Sequence, residues 1–101
     1  MEKAWHIKED NHECVVASHT LRHHESIGLA LKKKPWSKPE DADPWLWTDL
    51  AIHVRDSKMP NCYVYSIKDK LFYVAARVIQ RNEELTVSYD ELGIEMQDNK
   101  S

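Results

Sequence analysis

The chain has 101 residues, of which 42% are hydrophobic and 31% are charged, and this size and composition predict a single globular domain with one modest core. It contains no run of about 18 apolar residues and its polar start lacks the apolar region of a secretory signal, so neither a membrane-spanning helix nor export is expected. The formal net charge of -3 provides no overall basic field, so direct nucleic-acid binding is not expected either.

The first half of the chain contains two short apolar segments that predict β-strands. They are ECVVAS at residues 13–18 and SIGLAL at residues 26–31. Residues 32–48 follow, with three prolines among many charges, and they predict a variable insert at the surface. The three lysines that begin this insert are interpreted as part of a solvated loop.

A short helix is predicted at the end of the insert. Asp43 followed by Pro44 is a suitable N-cap and first helical residue, and the helix is expected to continue through Trp45 to about Val54. Three of the four tryptophans lie in this region, where they either complete the small core or form an exposed aromatic surface for a protein partner. They are Trp36, Trp45 and Trp47.

The second half contains the clearest pair of predicted strands, at residues 62–67 and 71–76. Both are rich in Tyr, Val, Ile and Phe, and they flank a polar turn, so a hairpin is expected. Residues 84–88 alternate between polar and apolar side chains and predict a further strand. The polar tail after Met96 is predicted to be disordered, which leaves residues 1–96 as the expected domain.

Two segments of the chain agree in kind along their whole length. ASHTLRHHESI at residues 17–27 and AARVIQRNEEL at residues 75–85 share an initial alanine, a central apolar residue and a glutamate two places before the apolar end. Each predicts a strand end, a tight turn and the start of a second strand. Because the chain has only two glycines, we expect His24 and Asn82 to supply the positive φ angles of these turns.

The two cysteines, Cys14 and Cys62, are too few for a disulfide framework. We interpret them as reduced thiols of an intracellular protein, cytoplasmic or nuclear, and a disulfide between them is the open alternative. The spacing of the histidines and cysteines matches no standard zinc pattern, so no metal is expected.

Two motifs of the second half resemble the C-terminal part of a SET domain, which typically reads A-R-F-I-N-H-S-x-x-P-N-C, a hairpin, and then G-E-E-L-T-x-x-Y. This chain has AIHVRDSKMPNC at residues 51–62 and NEELTVSY at residues 82–89. The first half is similar to the start of a SET domain, G-x-G-V-x-A followed by an apolar residue, a basic residue and G-E. The matching positions are Val15, Ala17, Leu21, Glu25, Ile27, Ala51, Ser57, Pro60, Asn61, Cys62, Glu83, Glu84, Leu85, Thr86 and Tyr89.

The resemblance implies a mainly β, SET-like (β-clip) fold of several short curved sheets, with a knot-like C-terminal crossing and one short helix. It also implies a protein-lysine N-methyltransferase that uses S-adenosylmethionine and acts on a protein or peptide lysine. Tyr89 is then the catalytic residue, at a narrow channel where its hydroxyl can orient the methyl donor or the amine. A desolvated channel favours the neutral amine, so alignment can replace a charged catalytic group.

The cofactor contacts implied by the resemblance lie in two segments that depart from the family pattern. His12-Glu13-Cys14 stands where the family has G-x-G, and Arg55-Asp56 stands where it has Asn-His. Arg55 can pair with the carboxylate of the cofactor, whereas side chains at the glycine places would crowd it. The alternative is therefore a catalytically degenerate SET-fold protein that acts as an interaction module. The predicted cofactor-binding residues are His12, Glu13, Cys14, Arg55, Asp56 and Ser57.

Tyr63 and Tyr65 are the predicted substrate-binding residues. They are two positions apart, so they share one face of the predicted strand. They form either the wall of the substrate channel or a cross-strand packing contact. A homodimer that completes a substrate groove through an exposed edge strand is left open.

Overall fold

The structure is a computed structural model that describes residues 3–9, 13–36, 38, 40 and 43–98. Within these residues the chain forms eight strands and two helices. The strands are β1 (Trp5–Glu9), β2 (Glu13–Ala17), β3 (Ser26–Lys33), β4 (Trp45–Trp47), β5 (Arg55–Asp56), β6 (Cys62–Ile67), β7 (Lys70–Ala75) and β8 (Thr86–Val87). The helices are α1 (Asp49–His53) and α2 (Tyr89–Asp98).

The strands form three small sheets, which confirms the predicted mainly β fold. β1 and β2 make an antiparallel pair, and β5 and β8 make a parallel pair. The largest sheet has the order β4-β3-β7-β6, in which all neighbours are antiparallel. β3 therefore lies between β4, which comes from the end of the insert, and β7, which comes from the second half of the chain, so the two halves share one sheet.

The two similar segments of the sequence pair with each other in the structure. At their centres, Leu21 and Ile79 exchange both backbone hydrogen bonds, at 2.8 and 3.0 Å. The alanine that begins each segment donates its N–H to the glutamate near the end of the other, from Ala17 to Glu83 at 3.0 Å and from Ala75 to Glu25 at 2.9 Å. The repeat thus joins the halves through antiparallel contacts.

Each of these segments turns at a residue with a positive φ, as predicted. His24 has a φ of 72° and Asn82 a φ of 70°. The glutamate that follows, Glu25 or Glu83, donates its N–H to the carbonyl three residues earlier, and its carboxylate accepts the N–H of that same earlier residue. The local turn therefore supplies its own hydrogen-bond partners.

The helix predicted to begin at Pro44 begins later. Trp45–Trp47 is a strand that pairs with β3, and α1 starts at Asp49. The side chain of Thr48 is the N-cap, since it accepts the N–H of Ala51. The prediction of a helix over the tryptophans was wrong because the sheet edge at β3 provides backbone partners that this short segment uses.

The second helix, α2, was not predicted. Ser88 caps it by accepting the N–H of Glu91, and the carboxylate of Glu91 accepts the N–H of Val64 on the edge strand β6 at 2.9 Å. Leu92 is buried against the core. Residues 97 and 98 of the predicted tail belong to α2, and residues 99–101 lie outside the described residues.

The core lies between the inner face of the large sheet and the two helices. Trp45 is 2% exposed and completes this core, whereas Trp36 and Trp47 are exposed at the surface. The thiols of Cys14 and Cys62 are not bonded to each other, as predicted. Neither helix in the described parts of the chain has the length and apolar character needed to traverse a lipid bilayer.

Candidate functional site

The two second-half motifs meet at the parallel pair formed by β5 and β8. Arg55 is opposite Thr86 in this pair, and the N–H of Ser57 donates to the carbonyl of Val87 at 2.9 Å. The first-half motif joins them, because the N–H of Leu85 donates to the carbonyl of Val15 at 2.8 Å. Three segments that are distant in sequence therefore converge on one region.

Asn61 links the two second-half motifs, residues 51–62 and 82–89, from inside the protein, and we call the place where they meet the crossing. Asn61 is 5% exposed, and its side-chain amide donates to the carbonyl of Glu84 at 2.8 Å and accepts the N–H of Thr86 at 2.9 Å. Its own N–H donates to the hydroxyl of Thr86 at 3.2 Å. A buried amide whose donor and acceptor are both satisfied holds the two motifs in one register.

Tyr89 is fixed by two hydrogen bonds to residues 54–56, one from its hydroxyl and one from its backbone N–H. Its hydroxyl donates to the carbonyl of Val54 at 2.7 Å, and its N–H donates to the carboxylate of Asp56 at 2.8 Å. The side chain is still 47% exposed. The predicted catalytic tyrosine is thus anchored beside the predicted cofactor segment, with part of its ring accessible.

An apolar cleft of about 300 Å³ lies beside this tyrosine. It is bounded by β4, α1 and α2, and its apolar walls include Trp47, Ala51, Ile52, Leu92 and Met96 together with Tyr89. We call it the Tyr89 cleft. An apolar environment of this kind disfavours the charged form of an amine that enters it. The contribution of α2 to this cleft could not be predicted, since the helix itself was not.

Tyr73 is a candidate that the sequence did not identify. It is 1% exposed, and its hydroxyl finds no hydrogen-bond partner among the described residues. Burial raises its pKa above the usual value, and the neighbouring Tyr89 and Cys62 raise it further. A buried hydroxyl without a partner is uncommon. In the sequence, a tyrosine in an apolar strand carries no signal that separates this role from packing.

Cys62 is buried near Tyr73. Desolvation raises the pKa of its thiol to about 12. The thiol donates to the side-chain oxygen of Asn61 at 3.3 Å. Cys62 is therefore a neutral packing group of the crossing rather than a nucleophile.

The predicted cofactor residues of β2 and β5 are linked to their surroundings by close polar contacts of their side chains. Glu13 contacts the Nε2 of His53 on α1 at 2.7 Å, and Arg55 contacts Glu84 through its Nε at 2.9 Å. Cys14 is partly buried on β2, and His12 lies outside the described residues. The contact between Glu13 and His53 ties the first-half motif to the helix that leads into β5.

Tyr63 and Tyr65 lie on the outer face of the large sheet, away from the core. They line a second cleft of about 300 Å³ with Phe72, Val74 and Ile67, which we call the aromatic cleft. The hydroxyl of Tyr63 is hydrogen bonded to Nδ1 of His24 at 3.0 Å. The structure does not bring these two tyrosines into the Tyr89 cleft, because Cys62 and Val64 are the residues of β6 that face the core.

Comparisons with known proteins support the fold. The sequence model of the SET domain family matches residues 5–90. A comparison with curated proteins finds no match. The crystal structure of a candidate histone methyltransferase from Plasmodium falciparum is similar with a TM-score of 0.66 at 19% identity, covering 88% of this chain and 95% of that one. The PR domain of FOG-1 is similar with a TM-score of 0.55 at 17% identity, covering 86% and 79%.

Proposed function

Because the chain belongs to the SET domain family, we propose that it is a protein-lysine N-methyltransferase that uses S-adenosylmethionine and acts on an intracellular protein. The observation that supports this most directly is the position of Tyr89. Its hydroxyl and N–H are both fixed by residues 54–56, and its ring borders an apolar cleft. A fixed phenol beside an apolar cleft is suited to align an amine with a methyl donor.

The residues around β5 fit the charged end of S-adenosylmethionine. That end carries a carboxylate and an ammonium group, and Arg55 and Asp56 are both exposed and of opposite charge. Arg55 can pair with the carboxylate and Asp56 with the ammonium. Ser57 follows these two residues directly, Glu13 contacts His53 two residues before Arg55, and bound cofactor supplies the electrophilic methyl group.

The tyrosines have separate roles in this proposal. Tyr89 orients the lysine amine, whereas Tyr73 is buried behind the Tyr89 cleft and does not line it. Tyr63 and Tyr65 contact the protein substrate outside the Tyr89 cleft, since their cleft opens on the outer face of the sheet.

The first test is calorimetry of the purified chain with S-adenosylmethionine and with its demethylated product. A dissociation constant near micromolar, about −8 kcal/mol, supports the enzyme. Tyr89→Phe is then expected to retain cofactor binding and cooperative unfolding, with a modestly lower denaturation midpoint because the bond to Val54 is lost, but to lose methyl transfer, measured as demethylated cofactor released in the presence of a lysine-peptide library. Unchanged transfer by this variant contradicts the role of Tyr89.

The second candidate function is a SET-fold interaction module without cofactor. It is favoured by Cys14, whose side chain occupies a place that is glycine in the family pattern, and by Arg55, which already contacts Glu84. An absence of heat at millimolar cofactor supports the module. The same calorimetry therefore separates the two functions.

A further inference from the structure

The outer face of the large sheet carries a second opening next to the aromatic cleft. It has a volume of about 580 Å³, and the two openings share Ile67. We call it the lysine cleft. Its charged walls are formed by Lys32, Lys33, Lys34, Lys68, Lys70 and Asp69. Apolar and basic surface thus continue into each other along one side of the protein.

Folding brings together two groups of lysines that are far apart in the sequence. One group ends β3 and the other lies in the turn between β6 and β7, and the N–H of Lys33 donates to the carbonyl of Asp69 at 2.8 Å. Asp69 is the one acidic residue among the described residues that line the cleft. The whole chain has a net charge of -3, so this cleft has the opposite sign to the molecule.

Two of these lysines oppose each other directly. Lys32 and Lys70 are partners in the antiparallel register of β3 and β7, and both are exposed on the same face. Like charges directly opposite in a sheet are destabilising. A bound anion would relieve this repulsion between the two ammonium groups.

The aromatic cleft favours a polypeptide over a nucleic acid as the source of that anion. Nucleic acids stack their bases on exposed ring faces. Here Tyr65 is 53% exposed, but Tyr63 and Phe72 are half-buried and Val74 is 6% exposed. These residues form a concave apolar wall, which suits an inserted side chain rather than a stack of bases.

We propose that this sheet face docks an acidic segment of a partner polypeptide, with carboxylates in the lysine cleft and a neighbouring apolar side chain in the aromatic cleft. This docking proposal rests on the proposed function at one point only, namely that the docked chain is the protein that becomes methylated. Docking itself needs neither cofactor nor methyl transfer.

The test is fluorescence anisotropy of the full chain without cofactor. The probe is a fluorescein-labelled peptide with a run of glutamates beside two leucines, compared with the same peptide carrying lysines instead of glutamates and with an oligothymidine of matched charge. The acidic peptide is expected to bind, more weakly as salt rises, and the other two are not. Tyr65→Ala is expected to weaken binding of the acidic peptide by removing an apolar wall.

Lys32→Glu separates loss of the site from damage to the fold. It places a glutamate opposite Lys70, so it is expected to raise the denaturation midpoint at low salt and yet weaken peptide binding by about tenfold. Arg81→Glu is the matched control, since it makes the same charge change at an exposed turn outside both clefts. It is expected to leave the dissociation constant within about twofold, because exposed distant charges are screened.

Three results would overturn the proposal. They are equal binding of the acidic and basic peptides, an equal loss of binding in Lys32→Glu and Arg81→Glu, and tighter binding of the oligothymidine than of the acidic peptide. The last result would assign the face to nucleic acid. A failure of docking leaves cofactor calorimetry untouched, and a failure of cofactor binding leaves the anisotropy result untouched.

Discussion

At the scale of single residues, Asn82 adopts a backbone conformation that glycine usually takes, because neither of the two glycines of the chain lies in its turn. Its φ of 70° lies in the left-handed region, which asparagine tolerates better than most residues with a side chain. His24 has the corresponding place in the other turn, and its ring is also bonded to Tyr63 and stacked on His23. The two turns therefore share a backbone requirement but differ in side-chain contacts.

Asn82 is the position at which this requirement can be measured. Asn82→Ala is expected to lower the free energy of unfolding by about 1 kcal/mol, because alanine at a positive φ is strained. Asn82→Gly is expected to leave it within about 0.5 kcal/mol or raise it slightly. Urea denaturation measures both changes.

The comparison with His24 provides the control for this prediction. His24→Gly removes the same strain but also loses the contact with Tyr63, so it is expected to be less stable than Asn82→Gly. If Asn82→Ala and Asn82→Gly have equal midpoints, backbone strain does not govern this turn.

Sequence reasoning placed Tyr89 better than it placed the other tyrosines. The order of the motifs predicted that it lies beside residues 55–62, and its bonds to Val54 and Asp56 confirm this neighbourhood, while its catalytic role stays a prediction. Tyr73 could not be predicted, because its distinguishing property is an unpartnered hydroxyl in the core. Such a property depends on packing between distant segments, which periodicity does not encode.

At the scale of elements, Asn61 provides hydrogen bonds that the short strand β8 cannot supply by its own length. β5 and β8 each have two residues, which is too short for an apolar pattern to predict or for ladder bonds alone to hold. Asn61 supplies three further hydrogen bonds across the crossing. Two side-chain bonds and one backbone bond of Asn61 therefore tie β8 to the start of β6.

Replacing Asn61 is expected to be costly for this reason. Asn61→Ala leaves the carbonyl of Glu84 and the N–H of Thr86 without their side-chain partners inside the protein, and we expect a loss of about 2–3 kcal/mol in the free energy of unfolding. Ser57→Ala is the control: its hydroxyl accepts the N–H of Met59, two residues further on in an exposed loop, so a loss below about 1 kcal/mol is expected. Equal losses would mean that the crossing does not rely on Asn61.

The elements that the sequence did predict share a local signal, and the missed ones lack it. The hairpin of β6 and β7 was predicted within about one residue because β-branched and aromatic residues flank a polar turn. β1 is largely polar, and β4 is three residues long, so each is defined by its partner strand. α2 is fixed by tertiary contacts of Glu91 and Leu92 that no local pattern announces.

At the scale of the whole molecule, the largest sheet is shared between the two halves of the chain. β3 comes from the first half but bonds to β4 at the end of the insert and to β7 from the second half, and β2 bonds to the segment that leads into β8. Most contacts that close the core are therefore non-local, which makes the entropy of closing the chain a large term in folding. The two halves should be stable only together.

A chain divided inside the insert tests this dependence. Residues 1–38 and 39–101 expressed separately are each expected to show no cooperative thermal transition by circular dichroism, because each lacks the strands that cover its apolar face. Mixed, the two pieces are expected to co-purify and to unfold in a single transition whose midpoint rises with concentration, as for any associating pair. A cooperative transition in either piece alone would show that the shared sheet is not what holds the domain together, and that one half carries a core of its own.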